Sequence, residues 1–577
     1  MDTIRTLEND KLELEENLKE LQASNHASFT KTGKTFSTDI RMFVYESIVN
    51  QVPTKNVPKL LDKFAQRADI QLECIPHRST VELMVRELGV LSDLQASEVL
   101  MDSENSTLGF DATTQGGVHI NEIHVTTKSD CQVIAVDELD GGTAEDYALH
   151  VVDSIDRLAD VYSDFHKADY QETRQKLIGN ITNTLTDRVV VNHAAITHIS
   201  GIWGKSFNEL NCHLHPLGTI ASTARKSLKP FEVSKGSLYG SDSLAGNIML
   251  QMNKLRYKDG KGDPKGFVNF LHEQGLPRGI LPRYRGNRLH IVFHICGCAS
   301  CGGLQAAMLK DFVNPVAKVE LQVLGLVGKI LSGPWMTKFY TSPEKQVDHV
   351  DGIPIVKNVI DTIKENAENP MSLLTNSTDF FGNELNSCDS TLKCLQERPA
   401  DENLFCQMMQ AVLEEIAVVL ERQYSRYFSL ELTEQLRKET ESARSHNIDA
   451  EEIMGMFSAA QKRSPNSTIC HLSSKLRAQK NKVMDYLDRL DSDTLTLQSV
   501  LKTAVSRGRK QRQHNRKRCF ELRKEMARRQ TLKREKKETR DRKKVETKLR
   551  SGCNNKERPP RHFRRESSRS RHLPHLV

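Results

Sequence analysis

Aromatic side chains are scarce: they make up 6% of 577 residues, and only 2 are tryptophan. Charged residues are at an ordinary 27%, so the composition predicts a mostly globular chain rather than a disordered one. Long apolar runs are missing. The most apolar stretch, Val319 to Trp335, is broken by Glu320 and Lys329 and is too short to span a bilayer, so no membrane partner is expected. The first residues, Met1-Asp-Thr-Ile-Arg-Thr-Leu-Glu, have no apolar signal core. The 12 cysteines lack the spacing of a disulfide framework and are read as reduced thiols of the cytosol or nucleus. No Walker loop, G-x-S-x-G element or zinc-hydrolase motif occurs, which leaves NTPase and acyl-transfer chemistry without support.

What is present is a charge asymmetry. Residues 502 to 571 hold 29 Lys and Arg against 8 Asp and Glu, a balance of +21, whereas the whole chain is +7. The remainder is therefore 7 − 21 = −14. A basic arm on an acidic body suits contact with phosphates, and Arg507, Arg509, Lys510, Arg516, Lys517 and Arg518 are its densest candidates for DNA binding and for nuclear import. The alternative is a solvated helix, since Glu521, Glu525, Glu535 and Glu538 can pair with the bases around them.

Periodicity divides the rest. Ile4, Leu7, Leu14, Leu18 and Leu21 suggest a coiled coil over 1–30, one route to a homodimer. Residues 37–104 read as short helices. Residues 105–225 read as an α/β core. Leu108 to Ala112 is one strand, Gly116-Gly117 a hairpin turn into Val118 to Val125, and Cys131 to Val136 a third strand. Thr143 with Asp146 opens a helix, Leu177 to Thr186 is a fourth strand, and Arg188 to Trp203 a second helix. Residues 226–440 read as helical, with Phe267 to Glu273, Leu304 to Phe312, Val316 to Leu331, Val356 to Glu368 and Glu402 to Phe428 as its elements. Residues 441–475 return to the core, and 476–577 form a basic tail, helical and then disordered.

Two acids sit at predicted strand ends. Asp111 lies in Thr107-Leu-Gly-Phe-Asp111-Ala-Thr-Thr114 and Asp187 in Thr184-Leu-Thr-Asp187-Arg188; twenty-five residues beyond Asp187 comes Cys212-His213-Leu214-His215. Two strand-end carboxylates in one sheet can share divalent metals, and shared metals perform phosphoryl chemistry. Each also has a structural reading: Asp187 could N-cap the helix that starts at Arg188.

These segments resemble the catalytic core of hAT-superfamily DDE transposases. Asp111 and Thr114 match the family's first acid in D-x-x-T, Thr186-Asp187-Arg188 its second acid in T-D-N, and Cys212 with His215 its C-x-x-H. Its third acid follows a long helical insertion; Asn447-Ile-Asp-Ala450-Glu451-Glu452 aligns Glu451 with it, with Glu452 as the alternative. The family's Ser and Arg neighbours are Ala450 and Glu452 here. The resemblance covers roughly residues 105–475. It implies an RNase H-like α/β core interrupted by a large all-α insertion. It further implies Asp111, Asp187 and Glu451 as catalytic ligands of Mg²⁺ or Mn²⁺, Cys212 and His215 as shaping the active site, and DNA as substrate. In the family an aromatic of the insertion stacks on a flipped base, and Trp335 stands in a comparable place; core packing is its other reading. No family-type zinc finger is visible at the N-terminus.

One denser cluster remains. His294, Cys296, Cys298 and Cys301 fall within eight residues, either as zinc ligands or as a tight turn of buried thiols.

Overall fold

A computed structural model describes residues 11, 30–115, 117–232, 242–254, 264–273, 314–340, 347–491 and 493–553. The expected coiled coil (Lys11 and Thr30 apart), the 304–312 helix and the His294–Cys301 cluster lie outside them. The chain forms two units, residues 1–513 and 514–577.

The first unit is mixed α/β. Besides a two-stranded ribbon (Lys31–Thr32 with Thr35–Phe36) it has a sheet of five strands: β1 Ser106–Gln115, β2 Val118–Thr126, β3 Cys131–Leu139, β4 Ile181–Thr186 and β5 Asn208–Asn211, in the order β3-β2-β1-β4-β5. β1 runs antiparallel to β2, and β2 to β3, whereas β4 and β5 lie parallel to β1. The hairpin turn falls where the glycine pair predicts it, with Gly117 at φ +81°. The short β5 was not foreseen.

Alternation along β1 divides the two faces of the sheet. Leu108 and Phe110 pack with Ile123, Ile134 and the apolar faces of α4 (Ala144–His166) and α6 (Val190–Trp203). The predicted capping box starts α4: Thr143 accepts the Asp146 N–H, and the Asp146 carboxylate accepts the Thr143 N–H. The expected fourth strand is shorter than predicted. Tyr170–Asn180 is a helix, α5, because Asp169 accepts the Glu172 N–H and caps it, so only Ile181–Thr186 is strand.

The helices of 37–104 are α1 Thr38–Val49, α2 Val57–Arg67 and α3 Arg78–Asp102. α3 is not short: it runs 25 residues and is buried along most of its length. The 226–440 region is largely helical where described. It follows α7 (Pro216–Leu228) and contains α8 Leu244–Lys254, α9 Pro264–Glu273, α10 Pro315–Val327, α11 Gly333–Tyr340, α12 Gly352–Glu368, α13 Ser390–Leu395, α14 Glu402–Phe428 and α15 Glu434–Glu439. By length and composition α14 alone among the described helices could cross a membrane, yet half of its apolar window is buried and it packs between α7 and α12.

The chain then returns along the sheet. Ser442 bonds Thr107 Oγ1 at 2.7 Å, Thr126 Oγ1 donates to Ser442 O at 3.0 Å, and Asn183 Nδ2 donates to Glu439 O at 2.7 Å. These ties deliver α16 (Ile448–Arg463) onto β1 and β2, and α17 (Ile469–Lys480) onto β3. Ile453, Met454 and Phe457 close over Ile120, Val133 and Val136. The 476–577 segment does not begin as a tail. α17, α18 (Val483–Leu490) and the start of α19 (Thr494–Cys553) bury Val483, Leu487, Leu497 and Leu501 against α1 and α3.

Candidate active site

The strand register places the first two acids. Gly109 pairs with Leu185 on the parallel strand, so two residues further along each strand Asp111 and Asp187 follow on the same face. Asp187 is not a helix cap: the N-cap of α6 is Val189, without a side-chain bond. Its carboxylate instead meets His215 Nδ1 at 3.4 Å, half-exposed at the start of α7. That contact raises the His215 pKa above its ordinary value, with Asp111 adding to it from further off.

The third acid comes from across the chain. Asp111 and Glu451 line one cleft of about 350 Å³, with Thr113, Thr114 and Gln115 on the strand side and Met454, Gly455 and Ser458 on α16. One helical residue on, Glu452 points elsewhere and bonds Lys480 Nζ at 2.6 Å. The cleft wall is polar and linked: Thr114 Oγ1 lies 3.2 Å from His119 Nδ1, and His119 Nε2 lies 2.8 Å from the Tyr147 hydroxyl. Tyr147 is raised above the usual phenol range by burial and by the nearby Asp111.

The Cys-x-x-His segment turns its two named residues to opposite uses. Cys212 is buried, its Sγ accepts the Asn447 N–H at 3.4 Å, and burial pushes the thiol up to about 11. It thus anchors the loop that starts α16. His215 alone of the segment reaches the acids. His213 between them is buried: its Nε2–H donates to His349 O at 2.9 Å, so Nδ1 accepts from the Tyr424 hydroxyl at 2.7 Å. Burial depresses it well below the ordinary imidazole value, which keeps it neutral.

Arg188, next to Asp187, turns away from the cleft. It donates to Gln423 O and stacks on Tyr424 at 4.3 Å, fastening the strand end to α14. Trp335 corrects an expectation. It is completely buried, its Nε1–H donates to His213 O at 2.7 Å, and it packs on Phe339 and Phe381, so no face is open for a flipped base. Arg507 corrects another: both ends of its guanidinium are held by Asp160 and Asp164 on α4, so it fixes α19 to the body rather than reaching DNA.

Sequence reasoning missed Glu122. It lies directly opposite Asp111 on β2, is fully buried, and bonds His124 Nδ1 at 2.9 Å through one oxygen, while the other has no hydrogen-bond partner. The His124 ring fills the space over Gly109: a Cβ there would come within 2.2 Å of Nε2. The buried pair lies on the strand beside Asp111. Charged residues in an alternating strand read as solvent-facing, and only α16 lying over them reverses that.

In comparisons with known proteins, no family model matches the chain and no curated protein matches it.

Proposed function

We propose that the chain is a transposase-like protein with an RNase H-like core, acting in the nucleus on DNA by metal-dependent strand cleavage and transfer. The observation that carries this reading is the cleft shared by Asp111 and Glu451, 340 residues apart in sequence, beside Asp187 on the adjoining strand end. The strand order β3-β2-β1-β4-β5, with β2 antiparallel to β1 and β4 and β5 parallel to it, is the order that an RNase H-like core requires, and it supports the same reading.

The donors are carboxylate oxygens, which suit Mg²⁺ or Mn²⁺. Asp111, Asp187 and Glu451 would hold the ions. Among the described residues no three His, Cys, Asp or Glu already stand together as ligands, so Asp187 would have to exchange His215 for metal. A bound pair of ions would supply an activated water or 3′-hydroxyl and stabilise the leaving oxygen. The chain's own residues do the rest. The Cys212 and Ser442 ties set α16 on the sheet, and His215 holds the Asp187 carboxylate until an ion takes its place.

A second reading is favoured by the Asp187–His215 contact and by the changed neighbours of Glu451: a retained fold that binds DNA or protein without cutting. Calorimetric titration of Mn²⁺ into the full chain, beside Asp111→Asn and Glu451→Gln, separates the two. Binding weakened by both substitutions, followed by nicking of supercoiled DNA, is expected. Absent binding, or binding indifferent to both, would overturn the catalytic reading in favour of the scaffold.

A further inference from the structure

The helix α19 separates its charges around its axis. Between His514 and Thr547 it carries 15 Lys and Arg and 6 Asp and Glu, a net 15 − 6 = +9. At about 100° per residue, Lys533, Lys536, Lys537, Arg540 and Lys544 fall on one stripe of roughly 100°, and all five are exposed. The same arc contains no acid. Glu521, Glu535, Glu538 and Glu546 occupy the opposite side, interspersed with an equal number of bases, Lys517, Lys524, Arg528 and Arg542, while Glu525 and Asp541 flank the stripe.

This arrangement is not how a solvated helix stabilises itself. Opposite charges four residues apart favour a helix by a few tenths of a kcal/mol, and like charges disfavour it as much. The mixed side follows that rule, as Glu538 before Arg542 illustrates. The stripe breaks it in two unbroken rows of like charge, Arg529-Lys533-Lys537 and Lys536-Arg540-Lys544. The first row meets an acid at both ends, where Glu525 bonds Arg529 at 2.9 Å and Asp541 follows Lys537 by four residues, whereas the second has no acid four residues before or after it. A repulsive stripe is stabilised when a polyanion lies along it.

The aromatic content identifies which polyanion. From His514 to Cys553 the only Phe, Tyr or Trp is Phe520. Single strands are gripped by stacking their bases on aromatic side chains, and this helix has no row of them. Its charges suit phosphates at regular spacing. From Arg529 to Lys544 the stripe is about 22 Å long, roughly six base pairs of one duplex strand.

We propose that the Lys533–Lys544 stripe of α19 is a docking face for the phosphate backbone of duplex DNA, read without regard to sequence. The inference rests on the DNA-contacting side of the proposed function and not on its metal chemistry. The test therefore uses EDTA throughout, so that loss of the metal site leaves it unaffected.

The experiment compares three full-length proteins: wild type, the stripe variant K533Q/K536Q/K537Q/R540Q, and the equally neutralised control K517Q/K524Q/R528Q/R542Q. Binding to a labelled 30-base-pair duplex is followed by anisotropy from 50 to 300 mM salt, with circular dichroism for helix content. Glutamine has nearly the helix propensity of lysine, so α19 stays helical in both variants. Each lost phosphate contact removes about 0.9 from the slope of log K against log salt, so the stripe variant, with four, should lose about 3.6, and the control less than half of that. Equal losses in the two variants would mean bulk charge alone and would overturn the proposal. So would a single strand of the same length competing as well as the duplex, or a wild type that does not bind duplex at 50 mM salt.

Discussion

Glu320→Gln should change how stability depends on pH, and the structure sets the size of the effect. Glu320 is fully buried on α10, and one oxygen accepts the Ala245 N–H at 2.7 Å. Burial first, and then the neighbouring Glu232 carboxyl, push its carboxyl up to about 9, so it holds a proton at neutral pH. Glu232 in turn accepts from Lys229 Nζ at 2.7 Å. An unfolded Glu ionises near about 4.3. Between that value and about 9 the folded chain thus binds one proton more than the unfolded chain. The pair's contribution is fully present below the unfolded value and declines as pH rises, by about 1.4 kcal/mol per pH unit. From pH 5.5 to 7.5 that is about 3 kcal/mol, an upper bound because Glu232 relaxes with its partner. Glutamine is neutral throughout, keeps an acceptor for Ala245 and offers an N–H to Glu232. Urea unfolding of both proteins, followed through buried Trp335, should therefore show a stability difference that moves in favour of the variant as pH rises. His213 and His349, depressed by burial, act in the opposite sense in both proteins and cancel in the difference. Parallel curves for the two proteins would refute a proton held on Glu320.

Two further outcomes concern the cleft. Phe457→Ala, which removes a ring fully buried between α16 and the sheet, should cost about 3–5 kcal/mol in urea unfolding and weaken Mn²⁺ binding although no acid is altered. A cost below about 1 kcal/mol would mean that α16 is held otherwise. Asp187→Asn should lower the titration midpoint of the His215 ring followed by NMR, because the aspartate contact is the leading cause of its rise; an unmoved midpoint would remove Asp187 from its neighbourhood.

Local signals were legible and distant ones were not. The glycine turn before Val118, the Thr143–Asp146 box and the ends of Glu402–Phe428 are each decided within a few residues, and the structure has them where the sequence puts them. The stretch from Leu177 to Asn180 was misread because its apolar residues fit a strand as well as a helix. The Asp169 cap and packing against α4 decided for the helix. Trp335 misled for another reason: a lone tryptophan in an insertion has no periodicity to say which way it faces, and its indole N–H is satisfied by a backbone oxygen 122 residues away.

The acids mark where sequence reasoning stops. Asp111 and Asp187 could be singled out as strand-end carboxylates, but their juxtaposition follows from the pairing of Gly109 with Leu185, a register no local pattern encodes. Glu451 and Glu452 are interchangeable as neighbours in sequence. They differ by about 100° around α16, which sends the first to the cleft and the second to Lys480. Glu122 was invisible for the same reason in reverse: its polarity suggests solvent, and a helix arriving from more than 300 residues away buries it opposite Asp111. An acid held there with one oxygen unpartnered is costly to the fold. It is the kind of strain that a chain keeps where the geometry of a neighbouring carboxylate matters more than local stability.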